Sequence, residues 1–178
     1  MTRTVICVFT AMALSLCTAS AQSHQSYAGL QERPIKALSE QQIADLKAGR
    51  GMGLALAAEL NGYPGPMHVL ELADPLGLSA EQRAKIQQLF AAMKAEAVPL
   101  GEQLIAQESD LDKQFADKTM TPERLEASTN AIGVTTGALR RAHLKHHLST
   151  LDVLTPAQAQ RYAELRGYKA QTQHPHGR

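Results

Sequence analysis

The sequence predicts an all-α protein built on a long antiparallel helical hairpin with shorter flanking helices, and three observations predict it. No stretch shows sustained period-two alternation of β-branched residues, and aromatic residues make up only 4% of the chain. Apolar residues from Ile86 to Phe115, and again from Leu125 to Leu151, recur at helical spacing. Helix-start signals with a Ser or Thr followed three residues later by Gln stand at Ser39–Gln42, Ser79–Gln82 and Thr155–Gln158.

The chain opens with a segment that is not expected to join the fold. Arg3 supplies a positive start, Val5 to Leu16 an apolar core, and Ala19-Ser20-Ala21 a small-residue cleavage signal. Residues 1–21 therefore read as a secretory signal peptide, and the protein as periplasmic. Cys7 and Cys17 both lie in that segment, so the exported chain would carry no disulfide and no cysteine-based metal site. Cleavage after Ala21 would leave 157 residues, enough for one domain, with 17 basic and 17 acidic side chains. This balance, without a basic run or an aromatic platform, argues against a nucleic-acid partner.

Residues 22–37 are polar without a clear period and read as a flexible leader to a single helical domain over 38–168. Ser39 caps a first helix expected to continue through Ile43, Leu46 and the Gly49–Gly53 segment to Leu60. The glycines would fray it, at a cost of about 1 kcal/mol each, or mark the close approach of another backbone. Asn61-Gly62-Tyr63-Pro64-Gly65-Pro66 is a break, and Pro66 then suits the first position of a short helix from Met67 to about Ala73. Asp74-Pro75-Leu76-Gly77 turns the chain into Leu78-Ser79-Ala80-Glu81-Gln82.

From Ser79 one stripe (Ile86, Leu89, Phe90, Met93, Ala97, Leu100, Leu104, Leu111, Phe115) predicts a helix to Asp117, kinked but not ended by Pro99. Uninterrupted, it would span roughly 60 Å. After a tight loop at Lys118–Met120, Thr121-Pro122 starts the second arm. Leu125, Ile132, Leu139 and His146 follow at intervals of seven and share a face. Thr155-Pro156-Ala157-Gln158 caps a last helix to about Arg166, with Gly167 as its stop. Residues 169–178 read as a flexible tail, and its His174 and His176 are discounted as ligands.

The candidate site lies where the second arm ends. His143 and His147 are four apart on one helix face, a spacing that presents two imidazoles to one ion. A hairpin turning about Thr119 sets them opposite Ala92–Glu96, which brings Met93 near. The short helix carrying His68 and Glu71, three apart on one face, precedes this same end. His68, Glu71, His143 and His147 are thus candidates for a set of three nitrogens and one oxygen, with His146, Met93 and Met67 as lesser candidates. Such a set suits zinc, nickel or cobalt, or copper if Met93 joins. The competing reading is structural: histidines near a helix C-terminus also favour its dipole and bond its last carbonyls, and His146 continues an apolar stripe. No nucleophile–base set or paired carboxylates are signalled, so neither an enzyme nor an organic cofactor is expected.

Two Leu-Ser/Thr-x-x-Gln starts flanking a long hairpin, at Leu78–Gln82 and Leu154–Gln158, behind an export signal and without cysteine in the mature chain, resemble the Spy/CpxP superfamily of periplasmic proteins and its heavy-metal-resistance branch (ZraP- and CnrX-like). The resemblance covers about Gly65 to Tyr168. It implies a helical hairpin, usually a homodimer, and no catalysis. It also implies either metal sensing in envelope stress, read by a membrane-bound sensor protein, or ATP-independent holding of unfolded client proteins. The metal-sensing branch carries His-x-x-x-His on its first helix, a Glu on the next and His-x-x-x-Met before the second motif. Here His68 matches the first histidine, Leu72 replaces the second, and His147 stands where the methionine would be. From the residues and the resemblance together, the expected function is that of a metal-binding sensor or resistance accessory, with the holdase chaperone as the alternative.

Overall fold

The computed structural model describes residues 27–168. The signal peptide read at 1–21 and the tail at 169–178, with His174 and His176, lie outside the described residues. Six α-helices follow a 3-10 turn at Leu30–Glu32: α1 Glu40–Lys47, α2 Leu56–Glu59, α3 Pro66–Glu71, α4 Ala80–Ala116, α5 Pro122–Val153 and α6 Pro156–Leu165. Among the described residues there is no strand, and no helix is long and apolar enough to cross a membrane.

The helix starts are those the capping signals predict. Ser39, Ser79 and Thr155 accept hydrogen bonds from the backbone N–H of Gln42, Gln82 and Gln158 at 3.1, 3.1 and 3.2 Å. Each glutamine side chain returns to accept the N–H of its cap residue. This reciprocal bonding satisfies two of the donors that every helix N-terminus leaves unpaired. Thr121 caps α5 from one side only, through the N–H of Arg124. Pro99 lies inside α4 without ending it.

α4 and α5 form the hairpin, and the register follows the expected turn near Thr119. Lys145 pairs with Glu96 at 2.6 Å, and Gln82 donates to the carbonyl of Val153 at 2.9 Å. Two apolar clusters occupy different heights. Ile35, Leu38, Leu46, Ala97, Leu104 and Leu139 fill one, where α1 lies across the middle of the hairpin. Val69, Leu76, Ile86, Leu154 and Tyr162 fill the other at its open end, where α3 and α6 close the base. Between the two levels α4 presents Phe90 and Met93, and α5 presents His143, His146 and His147. Of these, Phe90, Met93, His143 and His147 line an opening between the two levels.

Three segments differ from the sequence expectation. The first helix does not continue to Leu60: α1 ends at Lys47, a turn carries Gly49–Gly53, and α2 is one turn long. The reason is the backbone, which turns left-handed at Gly49 (φ 66°), Met52 (φ 43°) and Gly53 (φ 84°) and cannot continue a right-handed helix. The short helix α3 stops at Glu71 rather than near Ala73. The leader read over 22–37 is not free throughout, since Ile35 is 6% exposed inside the first cluster and Lys36 pairs with Asp112 at 3.2 Å.

Candidate functional site

A cleft of about 510 Å³ opens between the Gly49–Gly53 turn, α2, the start of α3 and the facing sides of α4 and α5. Its polar lining includes Glu59, His68, His143 and His147, and Phe90, Met67 and Met93 are among its apolar walls. The structure thus brings His68, His143, His147, Met67 and Met93 to one cavity. Glu71 and His146 do not line it. Glu71 lies exposed on α3. His146 is 5% exposed and its Nδ1 sits 2.7 Å from the carbonyl of Ala142, one turn back in its own helix.

The carboxylate at the cleft belongs to Glu59, which closes α2 and is 5% exposed. In sequence its only mark was a lone charge in the otherwise apolar run Gly51–Leu60. Burying a carboxylate requires partners, and Glu59 has them from four segments. Oε2 accepts the backbone N–H of Gly65 at 3.1 Å, and His147 Nδ1 lies 3.6 Å from it. Oε1 accepts the hydroxyls of Tyr162 and, at 3.0 Å, Tyr168. His68 Nδ1 stands 3.4 Å and Arg166 Nε 3.7 Å from that same oxygen. Burial by itself would raise the Glu59 pKa. The contacts of His68, Tyr162 and Tyr168 outweigh it and hold the group at about 2. The Tyr162 hydroxyl moves the opposite way, pushed up by burial and by the neighbouring carboxylate.

Local sequence places these partners. Gly167, in a left-handed conformation at φ 72°, ends α6 and turns the chain so that the N–H of Tyr168 reaches the carbonyl of Ala163. That reversal carries the Tyr168 ring back beside Tyr162, edge to face at 6.5 Å between centroids. At Gly65 a Cβ would come within 2.9 Å of the His147 ring, so only glycine lets the α2–α3 connection pass this close.

The three cleft histidines differ in what they offer. His147 Nδ1 lies 2.7 Å from the carbonyl of Tyr63. A carbonyl only accepts, so Nδ1 donates and Nε2 is the nitrogen left to face an ion, the arrangement by which an outer carbonyl orients a metal-binding imidazole. His143 is 2% exposed, and its Nε2 is buried without a hydrogen-bond partner. Burial, then the neighbouring His147 and His146, lower its pKa below 6.5, so it is a neutral imidazole at neutral pH. His68 Nδ1 is likewise buried without an aligned hydrogen bond, although it lies at ion-pair distance from Glu59. Imidazole nitrogens beside an ionised carboxylate are the donor types that a divalent transition metal takes. Among the described residues, however, no three of these side chains stand together as a preassembled cage.

Comparison with known proteins agrees on one point. The family model described as LTXXQ motif family protein matches residues 66–166, from the first residue of α3 to the end of α6. No curated protein and no solved structure matches the chain.

Proposed function

The chain belongs to the LTXXQ motif family, and from that premise we propose that it is a periplasmic, Spy/CpxP-like protein whose cleft binds a divalent transition metal in a sensing or resistance role. The donors are His68, His143 and His147, with Glu59 in the carboxylate position that the sequence had suggested for Glu71. The observation that carries this reading is that His143, whose Nε2 is buried without a hydrogen-bond partner, lines the same cleft as His147 and Glu59. An unpaired buried nitrogen costs about 1–3 kcal/mol, and a ligand that accepts its lone pair removes that cost. Because the donors do not stand as a finished cage, binding requires side-chain movement. A site that must rearrange to bind suits a sensor better than a rigid structural site does. A bound ion would act as a Lewis acid, gathering donors from α2, α3 and α5 onto one point.

Calorimetric titration with Zn²⁺, Ni²⁺, Co²⁺ and Cu²⁺ tests the reading, using the protein beside His143→Ala/His147→Ala, both lacking the tail from His174. Binding near one ion per chain that the double substitution abolishes is expected. Weak binding that the substitution leaves unchanged would refute it.

A holdase role is the second reading, and a specific feature favours it. Leu56, Leu60, Phe115, Val134 and Leu148 are each more than half exposed, and apolar side chains displayed in this way suit contact with unfolded clients. Suppression of client aggregation that survives loss of His143 and His147 would separate this activity from metal binding.

A further inference from the structure

The partners of Glu59 fall into two groups on two sides of one carboxylate. On the cleft side are His68 and His147. On the far side are Tyr162, Tyr168 and Arg166, all from α6 and the turn that follows it. Oε1 already accepts two hydroxyl hydrogens, about the full capacity of one carboxylate oxygen. His68 and Arg166 wait beyond hydrogen-bonding alignment at 3.4 and 3.7 Å. The oxygen is therefore contested by two ends of the molecule, and whichever end binds it more strongly takes it.

We infer that Glu59 is the positioning residue through which occupancy of the cleft is read at the C-terminal helix: recruitment of His68, His147 and Glu59 to a divalent cation withdraws the carboxylate from Tyr162 and Tyr168. The inference rests on the metal reading above and adds its output. A cation competes with two neutral hydroxyls for one carboxylate, and in a buried setting the charge–charge attraction is the stronger. Tyr162 is 2% exposed and lies in the cluster that fastens α6 to α3 and α4. Once its acceptor leaves, a buried hydroxyl is stranded, and α6 must shift to pair it again. Apart from the backbone N–H of Gly65, the carboxylate spends its remaining hydrogen bonds on α6 and the turn after it, so α6 is the element that senses its departure.

Tyrosine emission tests this directly. The chain has four tyrosines and no tryptophan, and a phenol hydrogen-bonded to a carboxylate is quenched by proton transfer in its excited state. Zn²⁺ is the probe, because it neither quenches by paramagnetism nor changes oxidation state. Titration should raise emission and saturate at the stoichiometry found by calorimetry. The rise should vanish in Tyr162→Phe/Tyr168→Phe, which keeps both rings and removes only the hydroxyls, while zinc binding persists. It should remain in Tyr63→Phe. Glu59→Gln should start with high emission that zinc does not change; should that variant fail to fold, the phenylalanine pair carries the test. Zinc binding without a rise, or a rise that survives the double substitution, overturns the relay and leaves the metal reading standing. Absence of zinc binding overturns the relay as stated, and absence of binding for all four ions overturns the metal reading as well.

Discussion

Gln82 and Gln158, 76 residues apart, exchange side-chain amide hydrogen bonds. The Nε2 of Gln82 donates to Oε1 of Gln158 at 2.8 Å, and the return bond measures 3.0 Å. Each Oε1 also accepts the N–H of its own cap residue, Ser79 or Thr155. Gln82 donates further to the carbonyl of Val153, the last residue of α5. The two motif glutamines thus do more than cap. They bolt the start of α4 to the start of α6 and to the end of α5, fixing the open end of the hairpin below the cleft.

Gln82→Ala removes the return half of one capping box and the cross-link together. We expect a loss of roughly 1–3 kcal/mol, seen as a fall in Tm of about 2–4 °C per kcal/mol for a domain of this size. Gln158→Ala should cost a similar amount. The double variant should lose less than the sum, because both single variants break the same pair. Strict additivity in thermal melts would mean the amide pair contributes nothing.

Glu59 makes stability depend on acid. Its pKa falls from the ordinary 4.5 to about 2 on folding, so the folded state releases this proton more readily than the unfolded chain. The stabilisation is therefore complete above about pH 4.5 and is lost as pH falls towards 2, a difference on the order of 3 kcal/mol. Urea unfolding at successive pH values should show the protein losing its advantage over Glu59→Gln across that window. Parallel curves for the two proteins would contradict the assignment.

His143 adds to this acid sensitivity in the same direction, through a base. Its pKa is depressed, so the unfolded chain takes up a proton near 6.5 that the folded protein refuses, and stability declines as pH falls below 6.5. His143→Leu removes both this penalty and the unpaired Nε2. In metal-free buffer the variant should be at least as stable as the parent at pH 7 and clearly more stable at pH 5.5, while losing zinc affinity. A variant destabilised at both pH values would show that the imidazole is needed for the fold rather than for a ligand.

Glycines in the hairpin separate by what surrounds them. A Cβ on Gly101 of α4 would lie 2.5 Å from the carbonyl oxygen of Leu46, where α1 crosses. Gly101→Ala should therefore destabilise by about 1–3 kcal/mol, although alanine is the better helix former. Gly133 and Gly137 of α5 face open space, so alanine at each should stabilise by up to about 1 kcal/mol. Circular-dichroism melts of the three variants check the signs. Destabilisation at Gly133 and Gly137 would reveal that a second surface packs there.

Much of the fold was legible because its signals are local. A capping box needs residues three apart, a helical stripe needs residues three and four apart, and a proline or glycine acts on its own peptide. The bounds of α4, α5 and α6 follow from such signals to within a residue or two. The hairpin register followed from one turn and two helices of known rise, which is why Met93 could be set near His143 without a structure.

What the sequence alone determined, then, was the helical hairpin, the three capping boxes at Ser39, Ser79 and Thr155, and the histidine pair on the second arm. Tertiary structure alone decided which carboxylate stands beside His147 and His68. Glu71 shares a helix face with His68, and that local argument favoured it. Glu59 sits at the end of a single-turn helix after a glycine-rich turn, with no periodicity to aim it. Its position depends on Gly65, His147, Tyr162 and Tyr168, from segments 6 to 109 residues away. A buried charge is placed by whatever distant donors can satisfy it, and no short window of sequence contains them.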